Sequence, residues 1–230
     1  MARRDDRWSL DHDWYPGGVP GNVEVGPDVF LDSAYGFTAF LSDRDPGLTI
    51  GEASGAYDRA TFVVGPQGRV SIGGYTVVNG TYVVCERRVT IGAHGLLSWG
   101  TVITDVALDA PASLAERRAA LAAAAQHPER HLVPPGEPRP TVLEDNVWVG
   151  FGSVVGPGVT VGRGAIVGSK TVVRDDVPAY AVVVGDPARV VRALDPTDTA
   201  DARRAAFAEY VRPTAHGNVR QSGADRPQDR

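Results

Sequence analysis

A six-residue phase governs the chain from Leu143 onward, which reads LEDNVW, VGFGSV, VGPGVT, VGRGAI, VGSKTV, VRDDVP. The first position is aliphatic in every block: Leu143, Val149, Val155, Val161, Val167 and Val173. Glycine follows it at Gly150, Gly156, Gly162 and Gly168, and a second aliphatic position recurs at Val147, Val159 and Val177. A helical face returns every three or four residues and an amphipathic strand alternates every two. Neither alone produces a period of six. Six is a multiple of two, so the first position can face one side of a short strand in every block. A glycine then supplies a corner through backbone angles that other residues avoid. The pattern predicts short strands and corners coiling around one apolar core, three hexads to a coil. Positions eighteen apart then stack at about 4.8 Å, with Leu143 beside Val161, Val149 beside Val167 and Val155 beside Val173.

Weaker copies of the phase precede this run. Ile91, Leu97 and Ile103 are six apart, Ile72 and Val78 begin another set, and Val25, Leu31 and Phe37 start a third. Segments around Thr49 and Val63 belong to intermediate coils whose insertions break strict phase. A sandwich of short strands is the plain alternative, but it has no reason to hold a six-residue phase through consecutive blocks. Two segments leave the coil. In the first, about 105–140, Ser113-Leu114-Ala115-Glu116 is a capping box opening an alanine-rich helix to Gln126. The second is the C-terminus, where a helix is expected over 199–211 before a polar tail. The expected layout is an N-terminal extension (1–22), a β-helix (23–192) with the helical excursion, and a C-terminal helix and tail (193–230).

Composition bounds the function. The 23 basic and 28 acidic residues leave a formal charge of -5, which opposes a general grip on nucleic acid. Cys85 is the single cysteine, so neither an intramolecular disulfide nor a thiolate cluster is available. The charged N-terminus has no apolar stretch of signal-peptide length, and no run of about 18 apolar residues occurs. The expectation is a cytoplasmic protein acting without membrane, nucleic acid or metal.

The run DNVWVGFGSVVGPGVTVGRGAIVGSKTVVRDDVPAYAVVVGDPARVVR, Asp145 to Arg192, resembles the C-terminal half of the hexapeptide-repeat acetyltransferases that modify sugars and xenobiotics. The DNVWVG entry, the VVRDDVP exit and the closing GDPARVVR carry the resemblance. Val89 to Asp105 is similar to the coil before that family's active-site loop. The resemblance implies an all-β, left-handed parallel β-helix and a homotrimer with acetyl-CoA in a groove between adjacent prisms. It also implies acyl transfer from the thioester to a hydroxyl or amine of a small polar acceptor such as a sugar, with a loop histidine taking the proton.

For the cofactor, the resemblance points to Phe151 along the pantetheine and to Gly168 offering backbone. It sets Val173 and Arg174 beside adenine and phosphates, and Arg189 and Arg192 near the nucleotide phosphates. Guanidinium suits phosphate because it forks two donors onto one anion. Trp148 and Trp99 are candidates either for the groove or for core cover. The catalytic position departs from the family: Val106, Ala107, Leu108 and Asp109 include no histidine. His131, where the excursion returns, is the candidate base, ahead of His127, and Asp105 is expected to orient a partner or bind acceptor hydroxyls. A positioned base contributes about 10²–10⁴-fold. Its absence from the family position keeps a competing expectation in view, a non-catalytic trimeric β-helix. A zinc-dependent β-helix hydratase would need three histidines at related coil positions, which the hexads do not present.

Overall fold

The computed structural model describes residues 5–107, 113–126 and 136–196. The chain divides into a unit from Met1 to Asp195 and a second from Pro196 to Arg230. The helix expected over 199–211 and the tail lie outside the described residues.

The first unit winds through three sheets in fixed order. One face holds Val23–Val25, Leu48–Ile50, Arg69–Ile72, Arg88–Ile91, Thr141–Leu143 and Thr160–Val161. The second runs from Phe30–Leu31 through Leu96–Leu97, Trp148–Val149 and Ile166–Val167 to Ala181–Val184. The third holds Thr61–Val64, Tyr82–Cys85, Val102–Thr104, Val154–Val155 and Val172–Val173. Neighbours on each face are parallel, and the register is the one the hexads predict. Leu143 pairs with Val161, Val149 with Val167 and Val155 with Val173. Val149, Val155, Val161, Val167 and Val173 are fully buried, each stabilising by roughly 1.5–3 kcal/mol.

The glycines after the aliphatic position work differently from expectation. Gly150 and Gly162 do not have left-handed backbone; a side chain there is excluded by the next coil. A Cβ on Gly162 would stand 2.5 Å from the Ala179 amide nitrogen, and one on Gly150 2.7 Å from that of Ser169. The left-handed residues come two positions later, at Asn146, Gly152, Gly158, Gly164 and Lys170. Inside the corners, hydroxyls satisfy carbonyls of neighbouring turns: Ser54 donates to the Gly73 carbonyl at 2.9 Å and Ser153 to that of Gly168 at 2.8 Å.

Both ends of the prism are covered. The N-terminal segment packs against the core, with Arg7–Trp8 antiparallel to Val19–Pro20 and Val19 fully buried. Asp13 accepts from Ser33 Oγ at 2.8 Å and from the Ala34 amide at 2.6 Å, which fixes a 3-10 turn, Ala34–Phe37. Phe37 stacks on Phe62 with ring centroids 5.2 Å apart. Val25 shares its column with Ile50 but is exposed, because it is the first rung of its face; Val23 takes the buried place. At the other end Arg189–Ala193 turns back antiparallel to Ala181–Val184, closing an edge that would otherwise template further pairing.

The excursion carries helix α1, Leu114–Gln126, none of whose residues is buried. The capping box forms as expected: Ser113 N–H donates to Glu116 Oε2 at 2.9 Å and Glu116 N–H to Ser113 Oγ at 3.1 Å.

Candidate active site

Alternation along the third face turns Val83, Ile103, Val155 and Val173 inward. It leaves Val84, Val102, Thr104, Val154 and Val172 facing outward, where a solvated strand would carry polar residues. These side chains floor a groove of about 660 Å³. One wall is Val106 and Ala107, where the excursion leaves the prism, and another is Arg139, where it returns; Gly156, Pro157 and Arg174 complete it. The neck of the excursion is pinned. Arg139 N–H donates to the Asp105 carbonyl at 2.7 Å, and Thr141 Oγ1 donates to the Thr104 carbonyl at 2.8 Å. Arg139 also lies over Gly158, where a Cβ would come within 3.1 Å of it. Arg174 pairs with Asp186 at 3.1 Å, both half exposed, a contact that solvent keeps weak.

Asp105 does not do what its position in the sequence suggests. It is fully buried, and its carboxylate accepts the backbone N–H groups of Glu86, Arg87 and Arg88 at 2.8, 2.7 and 2.6 Å. It builds the corner below the groove and offers no oxygen to an acceptor. Burial, and then the Asp105 carboxylate, push the Cys85 thiol far above its usual range. The same two causes raise the Glu86 carboxyl to about 7.

Of the six expected cofactor residues, Val173 and Arg174 line the groove, but the Val173 side chain is in the core and cannot flank a nucleotide. Phe151 is exposed at the corner between the second and third faces, where its carbonyl accepts from Lys170 at 2.8 Å. Gly168 lies at the same corner one coil on. Arg189 and Arg192 are exposed on the terminal antiparallel strand. None of these four lines the groove. Trp99 and Trp148 are exposed rather than covering core; Trp99 Nε1 donates to Asp58 at 2.7 Å.

His131 and His127 lie outside the described residues. His94 stacks on Tyr75 at the corner between the first two faces, opposite the groove, and His12 stacks on Phe30. The groove lining contains no histidine or carboxylate among the described residues. Nor do the described residues contain a group of three or more His, Cys, Asp or Glu side chains able to hold a metal. Sequence reasoning missed Arg139 and the outward valines. A signal for the valines was present, since the sixth position of the hexads is also apolar at Trp148, Val154, Ile166 and Val172.

Residues 140–175 match the bacterial transferase hexapeptide (six repeats) family. The match covers 36 of the 230 residues. The coils of the chain are those of a left-handed parallel β-helix, like a hexapeptide-repeat acetyltransferase of Vibrio cholerae O1 biovar eltor solved with acetyl coenzyme A. That structure is 28% identical, with a TM-score of 0.50 over 70% of this chain and 76% of the other. Nodulation protein L of Rhizobium meliloti is 41% identical over 107 residues, 45% of this chain and 58% of that protein. A 2,3,4,5-tetrahydropyridine-2,6-dicarboxylate N-acetyltransferase of Brevibacillus brevis is 44% identical over 64 residues, 28% and 27% of the two chains. The chain thus spans less than two thirds of the length of these two relatives. Among its described residues no helix is long and apolar enough to cross a membrane.

Proposed function

We propose that this protein transfers an acetyl or other acyl group from coenzyme A to a hydroxyl or amine of a small polar acceptor such as a sugar. The carrying observation is the groove: an apolar floor of outward valines with cationic Arg139 and Arg174 at its rim, at the neck of the excursion. The floor fits an alkyl-amide arm, and guanidinium fits phosphate. The acetyl coenzyme A held by the Vibrio relative supports the donor. In the reaction the acceptor oxygen or nitrogen attacks the thioester carbonyl, the C–S bond breaks, and the sulfur leaves as thiolate. The acceptor's proton passes to a base, for which His131 remains the candidate. We read the working form as a homotrimer, as the resemblance implies, and as cytoplasmic from the composition of the sequence.

The test is release of free thiol from acetyl-CoA with a panel of amino sugars, sugar nucleotides and alcohols. Turnover should fall about 10²-fold or more in His131→Ala, with acetyl-CoA affinity kept. Val154→Trp, which fills the groove, should abolish acetyl-CoA binding while leaving the melting temperature in place. Binding that survives Val154→Trp would remove the groove from the reaction. The lack of a histidine at Val106, Ala107, Leu108 and Asp109 favours a second reading, a β-helix that binds CoA without chemistry; acetyl-CoA binding with no thiol release across the panel would select it.

A further inference from the structure

A second cavity, of about 440 Å³, is lined by Arg44, Gln67, Arg69, Arg87, Arg88 and Pro140. Four of these residues are arginines, and no carboxylate is among the described residues that line it. This is a local cluster of positive charge in a chain of net charge -5. Arg69 and Arg88 are direct register partners on adjacent strands of the first face, a placement where like charges destabilise. Arg44 bonds the neutral Gln67 amide oxygen at 2.5 Å. Behind the arginines stands the Asp105 carboxylate. It lies on the core side, where it holds the Arg87 and Arg88 amides and so fixes the backbone from which two of the four side chains rise. Guanidiniums stay protonated at all working pH values; Arg44, Arg87 and Arg88 are exposed and Arg69 is half-buried, so solvent and salt screen their repulsion in part and a bound anion relieves the rest. A doubly charged oxyanion meets this arrangement well, because each fork can donate twice to it.

The place of the cavity identifies the bearer of that anion. Pro140 lines it, and the preceding residue, Arg139, lines the apolar groove. The two cavities therefore adjoin across the neck of the excursion, and the groove has cationic groups of its own in Arg139 and Arg174. We propose that the four-arginine cavity binds the phosphoryl or diphosphoryl group of the acyl acceptor. Its assignment to the acceptor rests on the acyl-transfer reading; the anion site itself does not.

Calorimetric titration with inorganic pyrophosphate tests the site on wild type, Arg87→Gln/Arg88→Gln and Arg44→Gln/Arg69→Gln, with melting temperatures confirming that each folds. Each pair should weaken pyrophosphate by about 10-fold or more, with acetyl-CoA affinity held within about two-fold. Arg87→Lys/Arg88→Lys, which keeps the charge and the fold but loses the fork, should fall between. In the transfer assay, the phosphate ester of an amino sugar should exceed the parent sugar in kcat/KM by about 10-fold or more, and the preference should collapse in both glutamine pairs. Pyrophosphate that does not bind, or binds all variants alike, sinks the site. Acetyl-CoA affinity falling in parallel assigns the cavity to the donor's phosphates and overturns the proposal, as does equal transfer to phosphorylated and plain acceptors. Variant-sensitive pyrophosphate binding with no thiol release for any acceptor refutes acyl transfer instead; the acceptor assignment falls with it and an anion site remains.

Discussion

Asp105 shows how much one buried carboxylate can organise. Three backbone N–H groups end on it, and removing it strands all three in a dry corner. Asp105→Ala should cost about 3 kcal/mol or more, read by chemical denaturation. Its charge also shapes its neighbours. Glu86, half buried beside it, has a folded-state pKa of about 7 against an ordinary 4.5, so the folded protein holds that proton more tightly than the unfolded chain. Stability from this group is whole below about pH 4.5 and drains away as pH rises towards 7. Glu86→Gln should therefore raise the melting temperature at about pH 8 and change it little at about pH 4.5. A gain of equal size at both pH values would remove the titration argument. The Cys85 thiol, raised by burial and by the same carboxylate, should not react with a disulfide reagent until the protein unfolds. Released coenzyme A can then be counted against a silent background.

Among the elements, strands and helix are held by different means. Val161 is a rung between Leu143 and the bridge to Val177, enclosed on every side. Val161→Asp places a charge where no water reaches and should prevent folding; a soluble variant with a cooperative melt would contradict the register. Helix α1 has no buried face. Thirteen residues without tertiary packing form a marginal helix in water, and the capping box at Ser113 is its chief support. Amide hydrogen exchange across 114–126 should run far ahead of exchange in the prism. Ser113→Ala should quicken it further, by about 1 kcal/mol of local stability, with the global melting temperature unmoved.

At the scale of the molecule, the columns of the prism were legible because a fixed period writes each of them directly into the chain. Leu143, Val161 and their like are core residues in any prism that keeps the phase. The groove was less legible, because its outward Val154 and Val172 carry the same side chain as the inward Val155 and Val173. Only the fold separates the two sets. The role expected of Asp105 failed because a strand-end carboxylate reads alike whether it faces a ligand or a corner. The arginine cavity draws on residues 44, 69, 87 and 88 from successive turns whose lengths differ, so no constant spacing announces it. Light scattering at micromolar concentration should report three copies; a monomer would leave the groove to one chain alone.

The paired neck of the excursion has a consequence for how such a protein can change. Thr104 with Thr141 and Asp105 with Arg139 tie the two ends of the departing segment together on the prism itself. What lies beyond the tie is a cassette whose length the scaffold does not sense, since closing a longer or shorter loop between clamped ends alters its entropy only slowly. Residues 108–136 can therefore be shortened, or exchanged for the corresponding segment of another prism, with the melting transition retained.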